Sequence, residues 1–301
     1  MQCTRRSALV LLLAASCGVE PVPSEPSSSA TENTARIEYA TGERRAEGTT
    51  VNGVAHGEWS FYRRDGGLSR QGTYVDGVAE GEWKRWDYPR EAATRVGTYR
   101  GGRAHGRYLW RFAESRPRAT CELVDGVPHG KWTRWNSAGA RIEEGRFEHG
   151  HESGDWTFWD DAGNLSAAGA FSAGQRTGEW TTWFPSGAAR SAGSYENGRE
   201  TGAWTWWYEN GRKALEGSFE LGREVGTWTA RNEDGEVTER GEQVAGLPRG
   251  EWISRRPDGS TWVGAYERGL AQGRWTVTHA DGATTEIEYQ LGREIASEAR
   301  R

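Results

Sequence analysis

"SGDWTFWDDAGNLSAAGAFSAGQRTGEW", residues 153–180, holds two Gly-x-Trp steps, Gly154 to Trp156 and Gly178 to Trp180, set 24 residues apart. So fixed an interval between the largest side chains is the signature of a structural repeat. It extends in both directions. Glycines at 57, 81, 106, 130, 154, 178, 202, 226, 250 and 273 are each followed two residues later by Trp, or once by Tyr108. A second glycine precedes each of them by four, from Gly53 to Gly269, and Gly292 opens an eleventh unit.

Each unit carries a further ring in a Gly-x-aromatic step, as at Tyr74, Tyr99, Phe147, Phe171, Tyr195, Phe219 and Tyr266. Between the Trp and this step lies a turn such as "DDAG", "FPSG" or "NEDG", ending in Gly163, Gly187 and Gly235. Asn-Gly and Asp-Gly pairs mark type I′ hairpins, whose two central residues both need positive φ, and this turn is read as one of them. The two glycines of the Gly-x-x-x-Gly linker, such as "GRETG" at 198–202, are expected to make a tight reversal into the next hairpin. No helical periodicity interrupts the pattern. The expected fold is all-β: an elongated single-layer antiparallel β-meander of about ten 24-residue β-hairpins, about 95 Å long at two strands per repeat.

Strands lie about 4.8 Å apart, so a residue repeated on every second strand returns about 9.6 Å further along one face. Trp59, Trp83, Trp132, Trp156, Trp180, Trp204, Trp228, Trp252 and Trp275 are thus predicted to form one structural row, with the Gly-x-aromatic rings filling the gaps. With 17 Trp and 42 Gly, the chain assigns to rings the role that aliphatic side chains play elsewhere. Arg stems are expected to lie over them. A second aromatic follows three residues after the first: Tyr62, Trp86, Trp135, Trp159, Trp183 and Trp207, fading to Arg231, Arg255 and Thr278. In a regular strand it faces the other way. It either extends the core where the strand bends or, at Trp86, Trp135, Trp159, Trp183 and Trp207, lines an exposed binding stripe.

Hairpins of this length with Gly-x-Trp, an internal Asn-Gly or Asp-Gly turn, Gly-x-Tyr and a linking Gly-x-x-x-Gly resemble MORN repeats, closest to the bacterial MORN-repeat variant. "VAHGEW", "RAHGRY" and "VPHGKW" carry the same likeness. The resemblance covers residues 36–295 and implies a scaffold or interaction surface, with no catalytic residue to carry over. Some members of that variant bear an antitoxin-like label. Such a role sits badly with the N-terminus of this chain.

There, Arg5 and Arg6 precede an apolar run from Ala8 to Ala15, too short to cross a membrane and read as an export signal. "LAASC", Leu13 to Cys17, resembles the lipobox of bacterial lipoproteins, which implies a signal over 1–17 and lipidation of Cys17. Residues 18–35 are rich in Pro, Ser and Glu and are expected to form a disordered tether. Gly18 and Val19 lack the Asp that retains lipoproteins in the inner membrane, so the expected site is the cell envelope, at the outer membrane. Residues 36–53 read as a cap lacking the Trp, and 296–301 as a polar tail.

Chemistry is not conspicuous. No nucleophile, P-loop or paired-cysteine motif occurs, and the expectation is a non-enzyme with no cofactor and no metal. The mature chain has 36 basic against 43 acidic residues without a basic patch, so nucleic acid is a poor partner. Cys121 stands in the degenerate unit where Gly belongs, as a buried neutral thiol, and a local kink is expected there. His56, His105 and His129 share one repeat position and read as linker residues, being too far apart for the three or four ligands of a zinc site. Glu58, Glu82, Asp155, Glu179 and Glu251, between Gly and Trp, read as a solvated face, with a calcium ladder as the rival. The leading expectation is an anchored scaffold binding an envelope protein along its sheet. The alternative is a glycan or cell-wall binder using the exposed Trp stripe.

Overall fold

The structure, a computed structural model, describes residues 32–87, 93–112 and 116–300. Among them are 23 β-strands, from Glu32–Glu38 to Arg293–Arg300, and no helix. Two compact units divide the chain: Met1–Ser153 with Asp161–Gly163, and Gly154–Asp160 with Asn164–Arg301. In the first, the strands from Glu32–Glu38 to Arg141–Glu148 each pair antiparallel with their chain neighbours. In the second, the same meander runs from the Gly154–Trp159 segment to Arg293–Arg300. Each unit is a single-layer sheet whose strands pack on their sequence neighbours.

The sheet reaches further at both ends than composition implied. Glu32–Ala35, expected in the tether, belong to the first strand and pair with Val51, Thr50, Thr49 and Gly48. Ala296–Arg300, expected as a tail, continue the last strand opposite Glu288 to Thr284. An edge strand needs only backbone hydrogen bonds on one side, which polar residues supply as well as apolar ones. The signal over 1–17, Cys17, and the tether up to residue 31 lie outside the described residues.

The type I′ turn lies at the linker and not at the internal turn, where the sequence reading placed it. Asn52 and Gly53, between Arg44–Val51 and Val54–Tyr62, have φ of 54° and 75°, so the linker is the two-residue type I′ turn. Asp76-Gly77, Asp125-Gly126 and Asn197-Gly198 repeat it. At "FPSG" only Gly187 is left-handed, at φ 88°. Its N–H donates to Phe184 O at 2.9 Å, and Phe184 N–H to Ala188 O at 2.9 Å. This is a three-residue loop in which a type I turn is followed by a glycine bulge. The second linker glycine lies in no turn at all. Gly178, at φ 63°, sits inside Gln175–Trp183, where the register jumps from Gly169↔Trp180 to Ala170↔Thr177, so it forms a β-bulge.

All nine row tryptophans are buried, at 1–7% relative exposure. A single layer achieves this, at seven of the nine, by laying the indole flat on a glycine of a neighbouring strand. A Cβ on Gly169 would stand 2.3 Å from Trp180 Cδ2, and Gly48, Gly72, Gly193, Gly217, Gly241 and Gly264 meet their rings as closely, at 2.0–2.4 Å. The glycine of the Gly-x-aromatic step is therefore a seat for a ring. At four seats the indole N–H donates to the carbonyl one residue beyond: Trp59 to Thr49 at 2.8 Å, Trp180 to Ala170 at 3.0 Å, Trp204 to Ser194 at 3.1 Å and Trp252 to Glu242 at 3.2 Å; the N–H groups of Trp83, Trp228 and Trp275 are buried without a partner. The adjacent ring stands edge-on, as Phe171 does against Trp180 (centroids 5.1 Å, 89°) and Tyr266 against Trp275 (5.1 Å, 86°). Such pairs contribute about 0.5–1.5 kcal/mol beyond area burial. Arg176 closes the lid, with its guanidinium 4.3 Å from the Trp180 ring centre and donating to Tyr195 Oη at 3.2 Å.

Candidate functional site

The second aromatic row turns away from the first. Strand alternation places Trp159 opposite to Phe158, which shares the face of Trp156 and stacks on it (5.9 Å, 22°). A β-bulge falls between Phe158 and Trp159, and again between Thr182 and Trp183 and between Trp206 and Trp207. Tyr62, Trp86, Trp135, Trp159, Trp183 and Trp207 are all half-buried.

The Tyr62 side chain reaches the residue just before the seat glycine Gly48, its hydroxyl donating to Glu47 Oε1 at 2.6 Å. Arg231, at the equivalent position, donates to Glu216 at 2.9 Å, and Lys213 joins it at 2.6 Å. Hydrogen bonds from Lys213 and then Arg231 hold the Glu216 carboxyl below its usual range. The Tyr62 hydroxyl, then Arg44, does the same for Glu47. The corresponding residues for Trp183 and Trp207 are Ala168 and Ala192, and for Trp159 Glu144. Where the stripe fades, Arg231 takes the place of the ring and pairs with Glu216.

In the second unit, Trp159, Trp183 and Trp207 stand on alternate strands of a face that also carries Thr157, Ala168, Thr181, Ala192 and Thr205, all half-buried. Glu58, Glu82, Asp155, Glu179 and Glu251 are exposed, Glu58 hydrogen-bonded to Gln71 and Glu82 paired with Lys84 at 3.2 Å. Among the described residues no group of three or more His, Cys, Asp or Glu is arranged to hold a metal ion. His56 and His105 approach the Asp of the following turn, Asp76 at 3.5 Å and Asp125 at 3.6 Å. His129 meets His149 instead, ring centres 5.8 Å apart.

Cys121 occupies a glycine seat, and the repeat rearranges around it. Its thiol donates to Glu122 O at 3.1 Å, the carbonyl an indole would otherwise use, and Trp132 N–H turns to Glu143 Oε2 at 3.3 Å. Burial pushes the thiol up to about 12, which makes it a poor nucleophile.

One set of residues escaped the sequence reading. The position two after the Trp also faces the core: Trp110 and Val277 are buried, and Phe61, Phe158 and Trp206 bridge successive indoles, Trp206 lying 5.5 Å from Trp204 and 5.9 Å from Trp228. Strand alternation alone could have found them.

Among solved structures, the chain is similar to TcdB2-TccC3 without its hypervariable C-terminal region (12% identity, 90% of this chain, TM-score 0.20), and spans 17% of that chain's length. It is also similar to BamB from Moraxella catarrhalis (13% identity, 93% of this chain and 88% of the other, TM-score 0.18). The C-terminal WD40 domain of Sif2 is a further neighbour (12% identity, 88% and 69%, TM-score 0.12). Comparison with curated proteins finds no match. The MORN repeat variant model matches residues 200–220, the heart of the hairpin formed by Arg199–Trp207 and Lys213–Glu220, and so supports the MORN-repeat family for this chain.

Proposed function

We propose that the protein is a non-enzymatic repeat scaffold, held by a lipid on Cys17 at the bacterial outer membrane, that binds an envelope protein along the face bearing Trp159, Trp183 and Trp207. The observation that carries this reading is that later strands of the same unit form without an aromatic residue at the stripe position. Arg231, Arg255 and Thr278 stand at the same position in later strands of the same unit, each with regular neighbours, so packing alone does not demand an indole there. Half-buried tryptophans on a face of small side chains are suited to a protein partner, whose hot spots favour such rings. The joint substitution Trp159→Ala, Trp183→Ala and Trp207→Ala is expected to leave the unfolding midpoint within a few degrees of the parent and to abolish crosslinking to an envelope protein in intact cells. If the variant unfolds outright, the stripe belongs to the core and the reading fails. Cys17→Ser is expected to move the protein from the membrane fraction to the soluble one.

A second reading is favoured by the spacing. Indoles about 9.6 Å apart on a surface of Ala and Thr offer stacking platforms for alternate sugars of a linear glycan. Saturable quenching of Trp emission by soluble cell-wall oligosaccharides, lost in the same triple variant, would select it over the protein partner.

A further inference from the structure

Linker turns in both units carry exposed aliphatic residues: Val54, Val75, Val78, Val124 and Val127 in the first, and mostly leucines, Leu291 among them, in the second. Leu221, Val244, Leu247 and Leu270 stand on successive linker turns with relative exposures of 63%, 39%, 51% and 46%. Leu221 adopts φ 50°, a left-handed backbone that Asn52, Asp76, Asp125 and Asn197 adopt at the equivalent turns with short polar side chains suited to it. An exposed, strained leucine in place of a free polar residue points to a contact beyond the fold. Leu247 leans along the edge onto Gly269, and Leu270 onto Gly292, so the aliphatic surface runs on from turn to turn.

Charge completes the pattern. The middle turn, Val244 to Leu247, has no charged residue, whereas the turn before it has Glu220 and Arg223 and the turn after it has Glu267 and Arg268. We propose that this edge binds the same edge of a second copy of the chain, about a two-fold axis through the Val244–Leu247 turn. Linker turns recur about every 9.6 Å, so the axis sets the Glu220–Arg223 turn of one copy against the Glu267–Leu270 turn of the other. Arg223 then faces Glu267 and Glu220 lies beside Arg268, each pair formed twice. Val244 packs on Leu247 at the centre. An apolar centre with a charged rim is the ordinary layout of a protein interface, and a two-fold contact requires a surface that complements itself. With one acid and one base per flanking turn, the edge matches its own reverse better than any surface of single sign. The contact lies apart from the Trp stripe and does not depend on it.

Sedimentation velocity of the full chain across a concentration series tests this. The parent is expected to dimerise reversibly. Leu221→Asn with Leu247→Asn is expected to weaken the dimer by about tenfold or more, with Trp emission and melting profile showing the fold intact. Arg223→Glu is expected to weaken it similarly, and Arg223→Glu with Glu267→Arg to restore most of the loss. A parent that stays monomeric at every concentration, an Arg223→Glu variant that dimerises like the parent, or a double charge swap no better than the single one would each overturn the proposal.

Discussion

At Gly169 one methyl group decides whether the row closes. Its missing Cβ is the space into which Trp180 settles, 2.3 Å from where that atom would be. Gly169→Ala is therefore expected to cost about 1–3 kcal/mol or slightly more, read as a lowered urea midpoint followed by Trp emission. Trp180→Ala is expected to cost about 3–5 kcal/mol, and Trp183→Ala, on the other face, distinctly less. Equal losses at Trp180 and Trp183 would contradict the assignment of faces. The Trp row was legible because its interval is written in the chain. The seat was not, since which glycine lies under which ring depends on cross-strand register, and a bulge shifts that register by two residues.

Cys121 belongs to the same scale. Its thiol is buried and raised from near 9 to about 12, so an alkylating reagent is expected to label it only on unfolding. Labelling of the native protein as fast as of the unfolded chain would refute this. The sign of the pH effect follows: above pH 9 the unfolded thiol ionises and the folded one does not, so its contribution to stability is complete below 9 and declines as pH rises toward 12. Burial raises Tyr74 and Tyr195 in the same direction. Stability measured against pH should fall over this window, and less steeply in Cys121→Ala.

Among the elements, the turns set the limit of what could be read. The strand pairs of the regular repeats were legible from alternation and glycine spacing, yet the type I′ turn was placed at the wrong connection, because "DG" and "NG" occur in both and only φ at the preceding residue separates them. At the linkers that residue is left-handed even when it is Ala173 or Ala245, at φ 48° and 54°. A non-glycine residue there costs of order 1 kcal/mol or more, less for Asn, whose side chain bonds locally. Ala173→Asn is therefore expected to raise stability by about 0.5–1 kcal/mol, whereas the same change at Ala162, ahead of the loop glycine Gly163, should have little effect. A loss of stability at Ala173 would refute the type I′ assignment.

For the molecule as a whole, each strand depends on its neighbours in sequence, so stability is expected to be a sum over repeats and their junctions. Excision of residues 178–201 joins Thr177 to Gly202 in phase and removes one complete repeat from the second unit. The shortened chain is expected to fold cooperatively with unshifted Trp emission, and a red-shifted emission with no unfolding transition would show that longer-range contacts hold the sheet. Repeat number and phase were plain in the sequence. The extent of the array was not, since Glu32–Ala35 and Ala296–Arg300 are as polar as linkers and join the sheet through backbone pairing.

Rings touching rings along each unit have an optical consequence. From Trp156 through Phe158 and Phe171 to Trp180, and on through Tyr195 to Trp204, consecutive centroids lie 5.1–6.2 Å apart. Where indoles touch directly, as Trp204, Trp206 and Trp228 do at 5.5 and 5.9 Å, excitation is expected to pass between them before it is emitted. Polarised emission should then be lowered, and a quencher that reaches half-buried Trp206 should also dim its buried neighbours.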